Sequence, residues 1–207
     1  MTKLVSIFII LTVNCLTSYG QTNKDSLYVF VGKKIEVVGF KQKLDSNEIA
    51  FNAAFKAKYL VIQKVYGNYN KDTIEFEAYD HYGVPAFSKY DYVLLFVSNY
   101  NGKLYHEKYQ YFDVYKTKNG RWASGYNVGD YGHSYNKNTI VKPELIDFTS
   151  EVSYKIRGGN KEENEQRFPS PYYKIVGDKA IVVWGNYIEQ LFELKKSGIL
   201  KARGIFD

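Results

Sequence analysis

His81, His106 and His133 each stand near a carboxylate. Asp80 precedes the first, Glu107 follows the second, and Asp130 lies three residues before the third. Imidazole and carboxylate both ligate zinc, and histidine titrates near neutral pH, so these three are the candidates for a metal site or a general base. Their spacing offers little help: the chain has no His-x-His and no His-Glu-x-x-His, and adjacent residues of a strand point to opposite faces. Glu75 and Glu77 share one side of an expected strand. They are either a carboxylate pair fit for glycoside cleavage or two solvated side chains. No Gly-x-Ser-x-Gly elbow and no glycine-rich phosphate loop occurs, which removes two common routes to hydrolase and nucleotide chemistry.

A second set of residues suits binding. Two strands, Leu104–Thr117 and Arg121–Val128, flank Lys118-Asn119-Gly120, and Asn-Gly favours a two-residue hairpin turn. With Asn119-Gly120 as the loop, Thr117 faces Trp122, Tyr115 faces Ser124 and Asp113 faces Tyr126. Tyr105, Tyr109, Tyr111 and Tyr115 then share a face with Glu107, Asp113, Trp122 and Tyr126, while Phe112, Val114 and Ala123 take the other. If the second face is buried, Tyr109, Tyr111, Asp113, Tyr115, Trp122 and Tyr126 form an exposed aromatic platform with a carboxylate among the rings. Flat rings beside hydrogen-bond acceptors suit a sugar or a peptide. The competing arrangement makes this face the core, with the rings stabilising one another across the sheet.

The elements that must position these residues are mostly strands. Leu27–Val38 predicts a strand pair or one kinked strand. Phe55–Tyr66 alternates, with Phe55, Ala57, Tyr59, Val61 and Val65 opposite Lys56, Lys58 and Lys64, and Thr73–Tyr79 does the same through Ile74, Phe76 and Ala78. Tyr92–Val97 is apolar throughout, which suits a central strand covered on both sides. A short hairpin around Gly177-Asp178 joins 172–176 to 180–184. Residues 44–54 have helical features with Asp45 or Ser46 as caps. A C-terminal helix is expected from Asn186, with Glu189 reaching back to the cap and Gly198 as a left-handed stop. Residues 129–142 and 157–171 are expected to be loops.

Taken together, Phe55-Lys56-Ala57-Lys58, Ile62-x-Lys64-Val65-Tyr66-Gly67, Asp72-Thr73-Ile74-x-Phe76 and Tyr92-x-Leu94-Leu95-Phe96-Val97 resemble the netrin-like modules. That is the OB-barrel group that includes the tissue inhibitors of metalloproteinases. The resemblance covers residues 50–100 and implies a five-stranded barrel of a kind often used for binding. Those inhibitors reach zinc through a cysteine at the mature amino terminus, where this chain would present Gln21. Protease inhibition is therefore not implied.

Composition agrees with a sheet. The chain of 207 residues carries 21 tyrosines and 13 phenylalanines, types that fit a pleated, half-buried surface. Its net charge of +6 comes from scattered lysines, and no nucleic-acid recognition motif is present. Lys3, the apolar run Leu4–Val13 and small residues before Gln21 predict a secretory signal peptide over 1–20. The one cysteine, Cys15, lies inside it behind Thr12-Val13-Asn14, which does not fit lipid attachment. The mature chain would have no disulfides, and no later run is apolar enough to span a membrane.

The sequence therefore predicts a mainly β (α+β) fold: a small antiparallel OB-like barrel or curved sheet with a C-terminal helix packed on it. After the leader, 21–207 is expected to be one domain, with 151–207 as an optional helical and hairpin extension. The functional expectation is a secreted or periplasmic, non-catalytic binding protein without cofactor. Its aromatic hairpin face would recognise a glycan, a peptide or another envelope protein. The alternatives are a hydrolase built on His81, His106, His133 or paired carboxylates, and a structural component of the cell envelope.

Overall fold

A computed structural model describes residues 26–43, 47 and 49–207. The expected leader lies outside them. Five strands dominate: β1 (Ser26–Phe40), β2 (Ala53–Tyr66), β3 (Thr73–Asp80), β4 (Tyr92–Tyr100) and β5 (Lys103–Asp113). They curl into a barrel in the order β1-β2-β3-β5-β4, with β4 pairing back on β1. β3 and β5 run parallel and meet at a single ladder pair, Glu77 with Tyr105. β1 is one strand, as the kinked alternative required. Three register shifts against β2 increase its coiling and let it serve both halves of the barrel. The alternation expected for β2 and β3 holds, with Phe55, Ala57, Tyr59, Ile74, Phe76 and Ala78 buried inside. Residues described within 44–54 form no helix, and Ala53 and Ala54 open β2; Leu44, Asp45, Ser46 and Glu48 lie outside the described residues.

β4 is covered on both sides, as its unbroken apolar run predicts. Val93, Leu95 and Val97 face the barrel interior, while Leu94 and Phe96 face outward into a second core. Helix α3 (Ile188–Lys195) fills that second core with Ile188, Leu191 and Phe192, against Leu27, Val29 and Val31 of β1. The expected C-terminal helix thus packs on the barrel, but its cap falls one residue late, at Tyr187. Asn186 is not its cap. Its side-chain amide donates to the Lys142 carbonyl (2.9 Å) and its Oδ1 accepts from the Tyr131 hydroxyl (2.8 Å), which ties down the 129–142 segment. Gln190 performs the capping instead, accepting from the Tyr187 backbone N–H at 2.9 Å. Gly198 is needed for room and not for handedness. Its φ is −102°, inside a π-type turn over Lys196–Leu200, and a Cβ there would lie 2.1 Å from Asn136 Oδ1.

The remaining strands are short. β6 (Tyr115–Lys116), β7 (Trp122–Gly125), β12 (Trp184–Tyr187) and β8 (Glu144–Leu145) make one sheet in the order β6-β7-β12-β8. β9 (Ser153–Lys155), β10 (Tyr173–Val176) and β11 (Lys179–Val182) make another, including the hairpin expected at Gly177-Asp178. β7 and β12 approach so closely that a Cβ at Gly185 would stand 1.9 Å from the Ser124 carbonyl oxygen. Two expected loops contain helices: α1 (Val128–Gly132) and α2 (Lys161–Arg167). Asn160 and Glu163 form a reciprocal capping box at the start of α2, which is how a helix with no apolar stripe is held at its N-terminus.

Candidate functional site

The site begins with an irregularity in β5. β4 and β5 are in register from Val93 with Asp113 to Leu95 with Tyr111. Phe96 alone then spans Glu107 to Gln110, before Val97 meets His106. The three extra residues form a bulge, and Tyr109 adopts φ 67°, a left-handed conformation that is costly for a bulky side chain. The bulge is anchored from the far end of the chain. Arg203 donates to Glu107 Oε2 (2.8 Å) and to the Lys108 carbonyl (2.8 Å), and Ser98 Oγ donates to Glu107 Oε1 (2.6 Å). This bulge leaves Tyr109 exposed at 44% while Tyr111 and Asp113 face the seam between the barrel and the short sheets.

That seam is an open cleft of about 430 Å³. Asp113 lies at its base. Its Oδ2 accepts from the hydroxyls of Tyr154 (2.7 Å) and Tyr115 (2.9 Å). Its own backbone N–H is a third donor, and no described lysine or arginine forms an ion pair with this carboxylate. Burial raises the Asp113 carboxyl above its usual range, although the Tyr154 and Tyr115 hydroxyls and its own backbone N–H work the other way. The surrounding phenols respond in turn. Burial first, and the Asp113 charge after it, raises Tyr90, Tyr115, Tyr154 and Tyr173. Tyr111 is pushed up to about 12 by burial, then by Tyr90 and Asp113. All five phenols stay protonated at physiological pH.

The walls come from separate elements. β5 supplies Tyr109, Tyr111 and Asp113; Tyr154 comes from β9 and Tyr173 from β10. Tyr126, just after β7, is stacked between Tyr131 (4.8 Å) and Tyr172 (3.7 Å), both rings nearly parallel to it. Arg167, exposed at the end of α2, lies 5.3 Å over the Phe168 ring. One wall holds a buried ion pair. Lys195, at the end of α3, bonds Asp130 of α1 and stands 4.8 Å over the Phe112 ring.

Tyr109, Tyr111, Asp113 and Tyr126 of the expected platform therefore meet at one cleft. Tyr115 is half-buried and supports Asp113 through its hydroxyl. Trp122 departs from expectation. It is 4% exposed and packs in the core beneath α3, its ring 4.8 Å from Tyr92. The loop is Lys118-Asn119-Gly120, with Thr117 bonded to Arg121, Lys116 opposite Trp122 and Tyr115 opposite Ala123. A one-residue slip reverses every side chain of a strand, so Trp122 joins Phe112 and Val114 instead of the tyrosines. Rather than standing as a flat platform, the tyrosine face is a cleft wall covered in part by β9 and β10. Tyr90, Tyr154, Arg167 and Tyr173 carried no local signal, because they come from remote segments; the excess of tyrosine was the one hint.

The three histidines keep separate company. His81 Nδ1 lies 2.9 Å from the Phe51 carbonyl oxygen, and His133 accepts from the Tyr135 backbone N–H in a 3₁₀ turn. His106 keeps some exposure overall, but its ring sits beside Phe87 (4.6 Å) and Phe76 (6.2 Å), with Nε2 2.9 Å from the Gln110 carbonyl oxygen. Among the described residues no three His, Cys, Asp or Glu side chains are grouped to hold a metal. Glu75 pairs with Lys58 at 2.7 Å, and Glu77 accepts from the Tyr79 hydroxyl at 2.5 Å, outside the cleft.

Burial, with a smaller contribution from Arg203, drives the His106 imidazole from its usual 6.5 down to about 4, against the raising effect of the Gln110 carbonyl. The unfolded chain then binds more protons than the folded one between those values, so stability rises with pH across that window. The shift corresponds to about 3 kcal/mol. Urea unfolding of the wild type and His106→Gln between pH 4 and 7 should show this rise in the wild type and its loss in the variant. A difference between them that is constant with pH would mean that folding leaves the imidazole unperturbed.

No family model matches this chain, and no curated protein or solved structure matches it. No helix among the described residues is long and apolar enough to cross a membrane.

Proposed function

We propose that this chain is an exported, non-catalytic binding protein that takes a glycan unit into the cleft at the barrel seam. One observation carries the reading: tyrosines from β5, β9, β10 and the end of β7 converge around a carboxylate that has no cationic partner among the described residues. Rings supply apolar faces for the carbon side of a sugar, and Asp113, Arg167 and the tyrosine hydroxyls supply polar partners for its hydroxyls. The size favours a small ligand. A cleft of about 430 Å³ accommodates one or two sugar units, whereas a folded envelope protein would need roughly 800 Å² of matching surface.

The strand order β1-β2-β3-β5-β4, with β3 parallel to β5, supports the netrin-like, OB-type reading of the barrel. Export rests on the leader at 1–20. The binding surface proposed here lies off the barrel's β2–β3 face, where Lys56, Lys58, Glu75 and Glu77 form a charged ladder.

Glycan-array screening followed by calorimetry tests the reading. Tyr126→Ala should weaken binding of the best glycan by about 5–30-fold, the equivalent of about 1–2 kcal/mol. Tyr135→Ala, an exposed ring outside the cleft lining, should leave it unchanged. Equal losses from both variants would remove the cleft as the site. Turnover of nitrophenyl glycosides that depends on Asp113 would replace binding with hydrolysis, since Asp113 and Asp130 line the same cleft.

A further inference from the structure

We propose that the ligand presents a free, protonated amine to Asp113, so that the sugar this cleft selects is an amino sugar with an unacetylated nitrogen. This rests on the cleft being the binding site and adds the chemical class of its ligand.

Charge bookkeeping in the cleft leads there. Two carboxylates and two cations line it, and they are not matched evenly. Asp130 is already satisfied by Lys195, both of them largely withdrawn from solvent at 16% and 6% side-chain exposure. Arg167 is exposed at the end of α2, where water can solvate it. Asp113 alone, half-buried at the seam, has no cation: its partners are two phenol hydroxyls on Oδ2 and its own backbone N–H. Neutral hydrogen bonds offset part of the cost of burying a carboxylate, but a paired charge offsets more. Burial has already shifted this carboxyl toward its neutral form. The missing component is a positive charge able to donate to this carboxylate.

The rings narrow the choice further. Tyr90, Tyr111 and Tyr173 line the same cleft, and the faces of tyrosine rings attract ammonium groups, more strongly where water is excluded. A sugar hydroxyl at the carboxylate would supply one donor and leave the charge in place. An ammonium supplies three donors, cancels the charge and gains from the rings. A ligand carboxylate at the same spot would meet Asp113 as a like charge and be rejected. Acetylation of the nitrogen removes the positive charge and adds bulk where the carboxylate waits, so the cleft should distinguish an amine from its acetamide.

The experiment compares glucosamine, N-acetylglucosamine, glucose and Nα-acetyl-lysine amide by calorimetry and saturation-transfer NMR at pH 7, on the wild type and on Asp113→Asn. The asparagine oxygen can still accept from Tyr115 and Tyr154, so this variant is expected to fold; its thermal midpoint checks that. Glucosamine should bind at least tenfold more tightly than glucose or N-acetylglucosamine, and Asp113→Asn should abolish the preference. The acetylation comparison on the wild type needs no variant and stands even if Asp113→Asn misfolds. Equal binding of glucosamine, glucose and N-acetylglucosamine, weakened by Tyr126→Ala, would overturn the amine while leaving the cleft as a glycan site. Lysine amide binding as tightly as glucosamine would uphold the ammonium contact and overturn the sugar as its source. Failure of all four probes to bind would overturn both.

Discussion

Trp122→Ala should cost about 3–5 kcal/mol of stability, the range for truncating a large buried aromatic. The residue is 4% exposed and stands where three elements meet. Tyr92 of β4 lies 4.8 Å away, Lys116 reaches over the ring face at 4.3 Å, and Ile188, Leu191 and Phe192 of α3 share the same cluster. Removing the indole leaves a cavity between the barrel and the helix, and α3 cannot collapse into it freely. Its far end is fixed by Lys195 on Asp130, and the turn beyond it by Gly198 against Asn136. Urea unfolding measures the loss directly. In a Trp184→Phe background, Trp122 emission should be blue-shifted and poorly quenched by acrylamide. A loss below about 1 kcal/mol, or strong quenching, would mean that this side chain does not close the seam.

Breaking the Asp130–Lys195 pair should be about as damaging, for an electrostatic reason. Lys195→Met keeps most of the aliphatic stem over Phe112 but leaves the Asp130 carboxylate withdrawn from water without its cation. Removing one partner of a buried pair typically costs about 3–5 kcal/mol, whereas replacing both is often close to neutral. Lys195→Met alone should therefore fall sharply in stability, and Asp130→Asn with Lys195→Met should recover most of it. Failure of the double variant to recover would show that the pair acts through geometry, by holding α1 against the end of α3, more than through charge. The same comparison bears on the cleft, because this pair forms one of its walls. With Lys195 removed, Asp130 would become a second unpaired carboxylate beside Asp113.

Much of the fold was legible because its signals are local. The alternation in β2 and β3 and the unbroken apolar run of β4 each record which faces are buried, and burial is what a period of two reports. The run in β4 even implied a second layer, which α3 supplies. The expected cap of α3 lies one residue early because Asn186, a good cap by type, is used for a tertiary contact with Lys142 and Tyr131. Helix α2 was missed for the opposite reason. Asn160 and Glu163 have the spacing of a capping box, but the helix has no apolar stripe to draw attention to it.

The site was legible in part, and its misreading has one cause. Tyr109, Tyr111, Asp113 and Tyr126 were singled out from a hairpin whose turn chemistry allows both a two-residue and a three-residue loop. Thr117, whose backbone and hydroxyl both bond to the Arg121 carbonyl or its neighbours, holds the longer loop. That one-residue difference moved Trp122 from the tyrosine face to the core. Nothing in a two-state alternation ranks the two registers when both faces of the hairpin are aromatic.

By itself the sequence determined the class of fold, the strands and their buried faces, and the clustering of tyrosine with Asp113 on β5. These follow from periodicity, turn residues and composition, which act over a few residues. Only the tertiary structure decided that the tyrosine face is a cleft and not a platform, that Tyr154 and Tyr173 complete it, and that Asp113 is left without a cation. Those outcomes depend on which remote segments come to lie against β5. The burial of one carboxylate and the pairing of another are set by that contact, across 41 residues for Tyr154 on Asp113 and 65 for Lys195 on Asp130.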